Sequence, residues 1–206
     1  EPGSADNTTG TAARFYKPVG IAAARQGTIY IVDEDDRRIR SLNITTNQVS
    51  TIAGISRDVI NECVSIDGQP GEGKLCSPDG LDFSATLNST FVAENDRIRI
   101  VDANGRLSTL EVIKDGVDFG QIADLVLDNF GNIYIADRFK HQIMRIDAIS
   151  HELTLVAGTG SAGYNSIASG PLTQFKSPNG IAIDKTNNIL YVADSGNHAI
   201  RKIVIR

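Results

Sequence analysis

The sequence contains no tryptophan, one methionine, two cysteines and three histidines among its 206 residues. Positive charge is also in short supply, because 20 lysines and arginines face 25 aspartates and glutamates, for a net charge of −5. That balance disfavours a surface that follows nucleic-acid phosphates, so we predict no nucleic-acid partner. No apolar run approaches the roughly 20 residues that a membrane-spanning helix needs, so we predict no transmembrane segment in this chain.

Helical periodicity is missing as well. No segment keeps the 3.6-residue apolar period for three turns. Short runs rich in Ile, Val, Leu and Tyr recur instead between clusters of Gly, Asn and Asp. This pattern is typical of many short strands joined by turns, and it predicts an all-β protein.

The strands repeat as a unit. Four similar runs, "TIYIVD", "TFVAEN", "NIYIAD" and "ILYVAD", each follow a shorter strand and a turn and precede a third strand; three of the four units continue with a fourth strand. Four antiparallel strands repeated at roughly 50-residue intervals predict β-propeller blades. We place the blades at about 15–54, 78–110, 122–158 and 175–206, the last one incomplete, in a single propeller domain or propeller segment that spans 1–206.

The fourth unit, "PNGIAID" followed by "NILYVADSGNHAIRKI", closely resembles the NHL repeat, named for an Asn-His-Leu triplet in its second turn. Here the triplet reads "NHA" at 197–199 and "KHQ" at 140–142, and the first two units lack it. The resemblance extends over essentially the whole chain. It implies the propeller fold but says little about function, because such folds carry many functions.

The two ends of the repeat do not match. No strand precedes the linker at 3–21, and no fourth strand follows the third strand at 199–206. NHL-like propellers commonly have six blades, which exceeds the number found here. We therefore expect a segment of a larger propeller, the interpretation we favour, or self-association through the open edges.

Cys63 and Cys76 lie in the longest insertion, "CVSIDGQPGEGKLC". A disulfide that closes about 15 residues stabilises a fold by about 3 kcal/mol in the chain-entropy model. Two thiols without a nearby histidine cannot complete a tetrahedral zinc site. We predict a disulfide, and hence an oxidising compartment, over the alternative of two separate, partly buried thiols.

Three sequons, at Asn7, Asn43 and Asn88, are candidate N-glycosylation sites in linker or turn positions. The sequons alone are weak evidence for a secreted protein. Together with the cysteines they predict a secreted protein or an extracellular ectodomain.

Charged residues recur once per blade. A carboxylate closes each second strand, at Asp33, Glu94, Asp137 and Asp194, and we expect it to cap its own turn rather than to bind a metal or substrate. Each third strand carries an arginine, at Arg40, Arg99, Arg145 and Arg201, for which we expect ion pairs between neighbouring blades.

Histidines do not converge on a metal site in the sequence. His141 and His198 occupy equivalent corners of neighbouring blades, whereas His151 lies in a turn. Peptide-amidating lyases, which resemble this family, hold their metal with histidines in the axial channel, and the innermost strands here contain none. Calcium-dependent propeller lactonases use Asn, Asp and Glu around one ion, and Asp82, Asp124 and Asn179 are the residues available for such a site.

The variable loops between repeats are therefore the best place to look for function, because binding residues concentrate on loops carried by a rigid scaffold. The binding candidates are Asp67, Lys74, Phe119 and Tyr164. Phe119 and Tyr164 are predicted to be exposed, whereas Phe175, like Phe15, is predicted to fill the core.

The leading functional hypothesis is a non-catalytic extracellular module that binds a protein or glycan partner and needs no cofactor. The sequence favours a non-enzymatic role without deciding it. The alternative is a zinc- or calcium-dependent lyase or hydrolase that resembles the peptide-amidating lyases or lactonases.

Overall fold

A computed structural model describes residues 1–7, 12–165 and 170–205. The described residues form antiparallel sheets and three single-turn 3₁₀ helices, at Arg25–Gly27, Gly170–Leu172 and Ser195–Asn197. Each sheet is a meander whose strand order follows the chain, and we call the sheets the first to fourth blades. The predicted all-β propeller fold is confirmed.

The first compact unit, Glu1–Leu110, contains two four-stranded blades. The first blade consists of β1 (Pro18–Ala23), β2 (Thr28–Asp33), β3 (Arg38–Asn43) and β4 (Gln48–Gly54). The second consists of β5 (Pro78–Ser84), β6 (Ser89–Glu94), β7 (Arg97–Val101) and β8 (Leu107–Thr109).

The second compact unit, Glu111–Arg206, contains the other two blades. The third blade consists of β9 (Ile122–Leu127), β10 (Ile133–Asp137), β11 (Gln142–Ile146) and β12 (Leu153–Ala157). The fourth consists of β13 (Pro178–Asp184), β14 (Ile189–Asp194) and β15 (Ala199–Val204). Within the described ranges no strand pairs with the outer edge of β15, so the prediction of an incomplete last blade is also confirmed.

Apolar residues on the two faces of each blade explain how the blades pack within a unit. In the first unit, Val32 and Ile39 of the first blade pack with Leu81 and Val92 of the second. Gly20 makes the close approach of β1 to β5 possible, because a Cβ there would lie 2.6 Å from the backbone oxygen of Asp79.

The second unit repeats this arrangement. Ala136 and Ile143 of the third blade pack with Ile181, Val192 and the fully buried Phe175. The core position predicted for Phe175 is therefore correct. None of the described helices is long and apolar enough to cross a membrane.

Candidate functional site

The repeated carboxylates are buried and fix the chain that leads into each blade. They end the second strands and are fully inaccessible to solvent: Asp33, Glu94, Asp137 and Asp194. Each accepts a hydrogen bond from a backbone N–H in the segment just before the first strand of its own blade, which we call the lead-in segment. The donors are Lys17 at 2.7 Å, Cys76, Gly120 at 2.6 Å and Lys176 at 2.7 Å, respectively.

This role differs from the predicted one. Asp137 does cap its own turn, through the N–H of Lys140 at 2.8 Å, but the contact shared by all four carboxylates reaches back to the lead-in segment. At Asp33, burial raises the pKa and outweighs the hydrogen bonds from Lys17 and Tyr16. These carboxylates are therefore parts of the scaffold.

Arginines complete the same connection in three blades; Arg40 and Arg99 are fully buried, and the side chain of Arg201 is 14% exposed. Arg99 donates to Glu94 at 2.6 Å, and Arg201 donates to Asp194 at 3.1 Å. The equivalent Arg40 lies 3.9 Å from Asp33. Each guanidinium also donates to two backbone carbonyls of its lead-in segment. The acceptors are Ala5 and Arg14 for Arg40, Ile66 and Lys74 for Arg99, and Asn165 and Gln174 for Arg201. The expectation of ion pairs between neighbouring blades was wrong, because these contacts join each blade to its own lead-in segment.

Arg145 does not belong to this set. Strand register places Met144 opposite Ile135, as it places Arg40 opposite Ile31 and Arg99 opposite Val92. Successive residues of a strand point to opposite faces, so Arg145 lies on the other face of its sheet. There it donates to Asn132 at 2.8 Å.

Asp67, a predicted binding residue, anchors a lead-in segment. It receives hydrogen bonds from Arg99 at 2.8 Å and from the hydroxyl of Thr109 at 2.9 Å. Partial burial disfavours its charge, but the hydrogen bonds from Thr109 and the guanidinium of Arg99 hold its pKa below the ordinary value. Asp6 binds Arg40 and Thr51 in the same way in the first blade.

A disulfide joins Cys63 to Cys76 and closes the loop that carries Asp67. Within this loop, the backbones of Ile66 and Lys74 exchange two hydrogen bonds, of 2.8 and 3.0 Å, and the predicted binding residue Lys74 is half-buried. Gly68 pairs in the same manner with Leu107 of β8. The loop is thus bound along the outer strand of the second blade.

The two predicted aromatic contacts have different environments. Phe119 is only 6% exposed, which contradicts its prediction as an exposed side chain. It lies three residues before β9, just as Phe175 lies three residues before β13, and Lys114 Nζ covers its ring at 4.7 Å.

Tyr164 is 58% exposed, as predicted. The guanidinium carbon of Arg201 lies 5.0 Å from the centre of the Tyr164 ring and 5.4 Å from that of Phe175. The exposed ring therefore rests on a side chain that is itself held by Asp194 and the lead-in segment.

The three sequon asparagines lie in different surroundings. The backbone of Asn7 pairs with Val49, and the next two residues of its sequon fall outside the described ranges. Asn43 ends β3 and accepts hydrogen bonds from the backbone of Thr45 and Thr46. Asn88 lies in the exposed turn between β5 and β6 with a left-handed φ of 48°. Their glycosylation remains a prediction.

Two of the histidines shape the turn in which they lie through their backbone conformation. His141 and His198 both adopt left-handed conformations, with φ of 55° and 51°, in the turn after the second strand. His141 Nδ1 also accepts the N–H of Ser177 at 3.0 Å. Asn and His tolerate this conformation better than most residues, which gives the repeated triplet a structural reason.

The axial carboxylates form no recognisable metal site. Over the described ranges, no group of three or more His, Cys, Asp and Glu side chains is placed to hold a metal ion. Asp82 belongs to the first unit, whereas Asp124 and Asn179 belong to the second. Asp124 accepts the N–H of Ile181 at 3.0 Å and so helps to join β9 to β13.

Comparison with known proteins agrees with the repeat structure. The NHL-repeat family model matches residues 175–203, which comprise β13, β14 and most of β15. NHL repeat-containing protein 2 of Bos taurus is 24% identical over 192 residues, which cover 92% of this chain and 21% of the relative. Residues 175–203 therefore match an NHL repeat.

Other similarities extend over nearly the whole chain. Protein SUPPRESSOR OF QUENCHING 1, chloroplastic, of Arabidopsis thaliana is 24% identical over 269 residues, covering 93% of this chain and 25% of the relative. The chain thus spans a quarter or less of the length of these relatives. A gluconolactonase from Xanthomonas campestris shares the fold with a TM-score of 0.67 at 17% identity, over 92% of this chain and 59% of the other.

Proposed function

We propose that this NHL propeller chain is a non-catalytic, extracellular interaction module that binds a protein or glycan partner through the loops between its blades. The observation that carries the proposal is the contrast between repeated and variable residues. The repeated carboxylates and arginines hold the lead-in segments in place. Tyr164, on a variable loop, instead exposes its ring to solvent while it rests on the guanidinium of Arg201. Tyrosine supplies a large contact area at a low cost in conformational entropy, which suits such a surface.

The binding surface is tested by site-specific photocrosslinking. A benzophenone amino acid replaces Tyr164 in one sample and the exposed Ile149, on the turn between β11 and β12, in a matched control. Samples are irradiated with a cell-surface and culture-medium fraction of the source cells. We expect a discrete crosslinked product from position 164 and none from position 149, and we expect Tyr164→Ser to reduce partner capture. Equal products at both positions, or unchanged capture by Tyr164→Ser, would refute this surface.

The compartment is tested separately. The Cys63–Cys76 disulfide favours an oxidising environment, and Asn88, the acceptor residue of one sequon, is exposed. After passage through a secretory pathway, we expect a glycosidase-sensitive mass that Asn88→Gln reduces. A protein purified from its native source with free thiols and no glycan would contradict the extracellular assignment.

The metal-dependent lyase or hydrolase alternative rests on the fold shared with the gluconolactonase, and a likeness at 17% identity carries the fold alone. Elemental analysis of the purified chain distinguishes the two functions. Stoichiometric zinc or calcium that is lost on Asp124→Asn would favour the alternative. An interaction module is expected to show no such dependence.

A further inference from the structure

In two blades the left-handed residue in the turn after the second strand binds the lead-in segment of the next blade. In the first blade this residue is Arg37, with φ of 58°. Its guanidinium donates to the backbone carbonyls of Glu62 at 2.7 Å and Ile60 at 3.3 Å, on the chain that leads into the second blade. In the third blade the residue is His141, whose Nδ1 accepts the N–H of Ser177 at 3.0 Å. Each side chain thus ties its blade to the following one.

The two ties use opposite hydrogen-bond roles. The guanidinium of Arg37 only donates, and it keeps its charge over the whole range of pH in which proteins fold. The imidazole of His141 accepts through Nδ1, which requires a ring nitrogen without a proton. An imidazolium carries a proton on both ring nitrogens and cannot accept the N–H of Ser177. Proton uptake therefore breaks the tie made by His141 and leaves the tie made by Arg37 intact.

Ser177 is placed so that the loss of its acceptor matters. Its N–H is the last one before β13, because Pro178 begins that strand and has no N–H. The N–H of Lys176 is already bound by the buried carboxylate of Asp194 at 2.7 Å. Ser177 is half-buried and has a left-handed φ of 50°, a conformation that a serine keeps only where its surroundings hold it. Without His141 as acceptor, this strained residue has one contact fewer.

The segments that meet at His141 carry both positive and negative groups. Their ionisable side chains are Arg138 and Lys140 in the turn, Lys176 in the lead-in segment, and Asp137, Asp194 and His198 at the ends of β10 and β14 and in the turn that follows. Both carboxylates are fully buried and accept backbone N–H groups. A proton on His141 therefore joins three cations on these segments and at the same time removes the acceptor for Ser177.

We propose that His141 is a proton-sensitive tie between the third and fourth blades, which holds Ser177 when the imidazole is neutral and releases it when the imidazole is protonated. Histidine suits this role, because free imidazole takes up its second proton at about pH 6.5. The bonds from Lys176 and Arg201 to Asp194 do not involve His141, so the release is a local opening and the fourth blade stays folded. The proposal does not rest on the binding function of Tyr164, although that residue lies on the same lead-in segment.

The test is hydrogen exchange at the Ser177 amide, measured by NMR in the whole 206-residue chain. Protection factors correct for the effect of pH on intrinsic exchange, and the matched reference is the Lys176 amide, which is bound by Asp194. We expect the protection of Ser177 to fall by more than about tenfold relative to Lys176 between about pH 7.5 and about pH 5. A ratio that stays constant over this range would overturn the proposal.

Two matched variants show whether His141 is the group that titrates. His141→Asn and His198→Asn change the same turn position in neighbouring blades, and asparagine tolerates the left-handed φ that both histidines adopt. We expect His141→Asn to remove the pH dependence at Ser177, because an amide takes up no proton in this range, and His198→Asn to keep it. A purely structural role of His141 would instead change protection equally at both pH values. Dependence that survives in His141→Asn, or that disappears in His198→Asn, would refute the assignment.

A further measurement on the wild-type chain needs no substitution. The imidazole Hε1 resonance of His141 and the amide resonance of Ser177 are followed over the same pH range. If the tie breaks on proton uptake, the two resonances move with one midpoint. Two different midpoints would show that Ser177 responds to another group.

Discussion

Arg99 joins segments that are far apart in the chain. Its guanidinium contacts Glu94 at the end of β6, Asp67 in the disulfide loop, and the backbone carbonyls of Ile66 and Lys74. Both members of the Glu94 pair are fully buried. A buried charge that has lost its partner is costly, so this pair makes the position of the loop conditional on one side chain.

Replacing Arg99 by methionine tests this dependence, because the third blade carries Met144 at the equivalent position. Asp137 tolerates Met144 because four backbone N–H groups satisfy it. Glu94 accepts a backbone N–H from Cys76 and relies on the guanidinium of Arg99 for its other oxygen. We expect Arg99→Met to lower the free energy of unfolding by about 3–5 kcal/mol, measured by urea denaturation.

The matched control for this substitution is Arg97→Met on the same strand. Arg97 pairs with Asp96 at 3.1 Å, and both side chains are exposed, so its loss should change stability by less than about 0.5 kcal/mol. Adding Glu94→Gln to Arg99→Met should recover part of the lost stability, since it removes the unpaired charge. Equal effects of the two arginine substitutions would contradict the role of Arg99.

Asp67 makes the same connection sensitive to acid. Its native pKa is lowered, so its charged form stabilises the fold above the unfolded pKa, and this contribution is lost as the pH falls through the native pKa. Asp67→Asn removes the contribution. We expect the variant to be less stable at neutral pH and to lose less stability than the wild type between about pH 5 and pH 2. Urea midpoints across that range measure both slopes, and parallel curves would exclude the effect.

At this scale the sequence predicts residue type better than residue contact. The recurring carboxylates are visible as repeats, but the backbone N–H groups that they bind lie in the lead-in segment, 16 to 18 positions earlier in the chain. The repeat pattern aligns Arg145 with Arg40, whereas the strand register makes Met144, one residue earlier, the equivalent of Arg40. Because a one-residue slip in a strand reverses the face, this small error changed the predicted partner entirely.

At the scale of elements, the Cys63–Cys76 loop combines two kinds of restraint. The disulfide closes a loop with a sequence separation of 13 residues, and backbone pairs at Ile66–Lys74 and Gly68–Leu107 hold the loop to itself and to β8. The corresponding lead-in segment of the first blade has a backbone pair, Asn7–Val49, and no cysteine.

We expect replacement of both cysteines by serine to lower the free energy of unfolding by about 3 kcal/mol, because the unfolded chain gains conformational freedom. Urea denaturation measures the total. Hydrogen exchange locates it: the amides of Ile66, Gly68 and Lys74 should lose more protection than that of Val49, the control in the same unit. Equal loss at Val49 would show that the disulfide acts on the whole unit instead.

The strands that show an alternating apolar pattern could be predicted from the sequence. Features that depend on packing against another part of the chain could not. The second strands, with their alternating Ile, Tyr and Val, appear where the repeat places them. Phe119 was misplaced because its lead-in segment lacks the proline that follows Phe15 and Phe175 three residues later; Ile122 stands there instead. The spacing of Phe119 from β9, which equals that of Phe175 from β13, was the signal that could have predicted its burial. The burial itself depends on how the lead-in segment packs against the blade, which the local sequence does not specify.

At the scale of the molecule, apolar side chains that stay exposed on the blades affect solubility. Ile21 of β1 and Val204 of β15 are 69% and 63% exposed. Exposed apolar surface promotes association between folded chains, so aggregation of the 206-residue chain depends on these side chains as well as on the stability of its blades.

We expect the double variant Ile21→Lys, Val204→Lys to scatter less light on heating and to begin aggregating at a higher temperature than the wild type. Its urea midpoint should match that of the wild type, because neither side chain is buried in the chain alone. A control with the same added charge, Ile44→Lys with Leu172→Lys, alters two other exposed apolar residues. If the control delays aggregation equally, net charge is the cause; if only the first variant does, aggregation of the 206-residue chain proceeds through Ile21 and Val204.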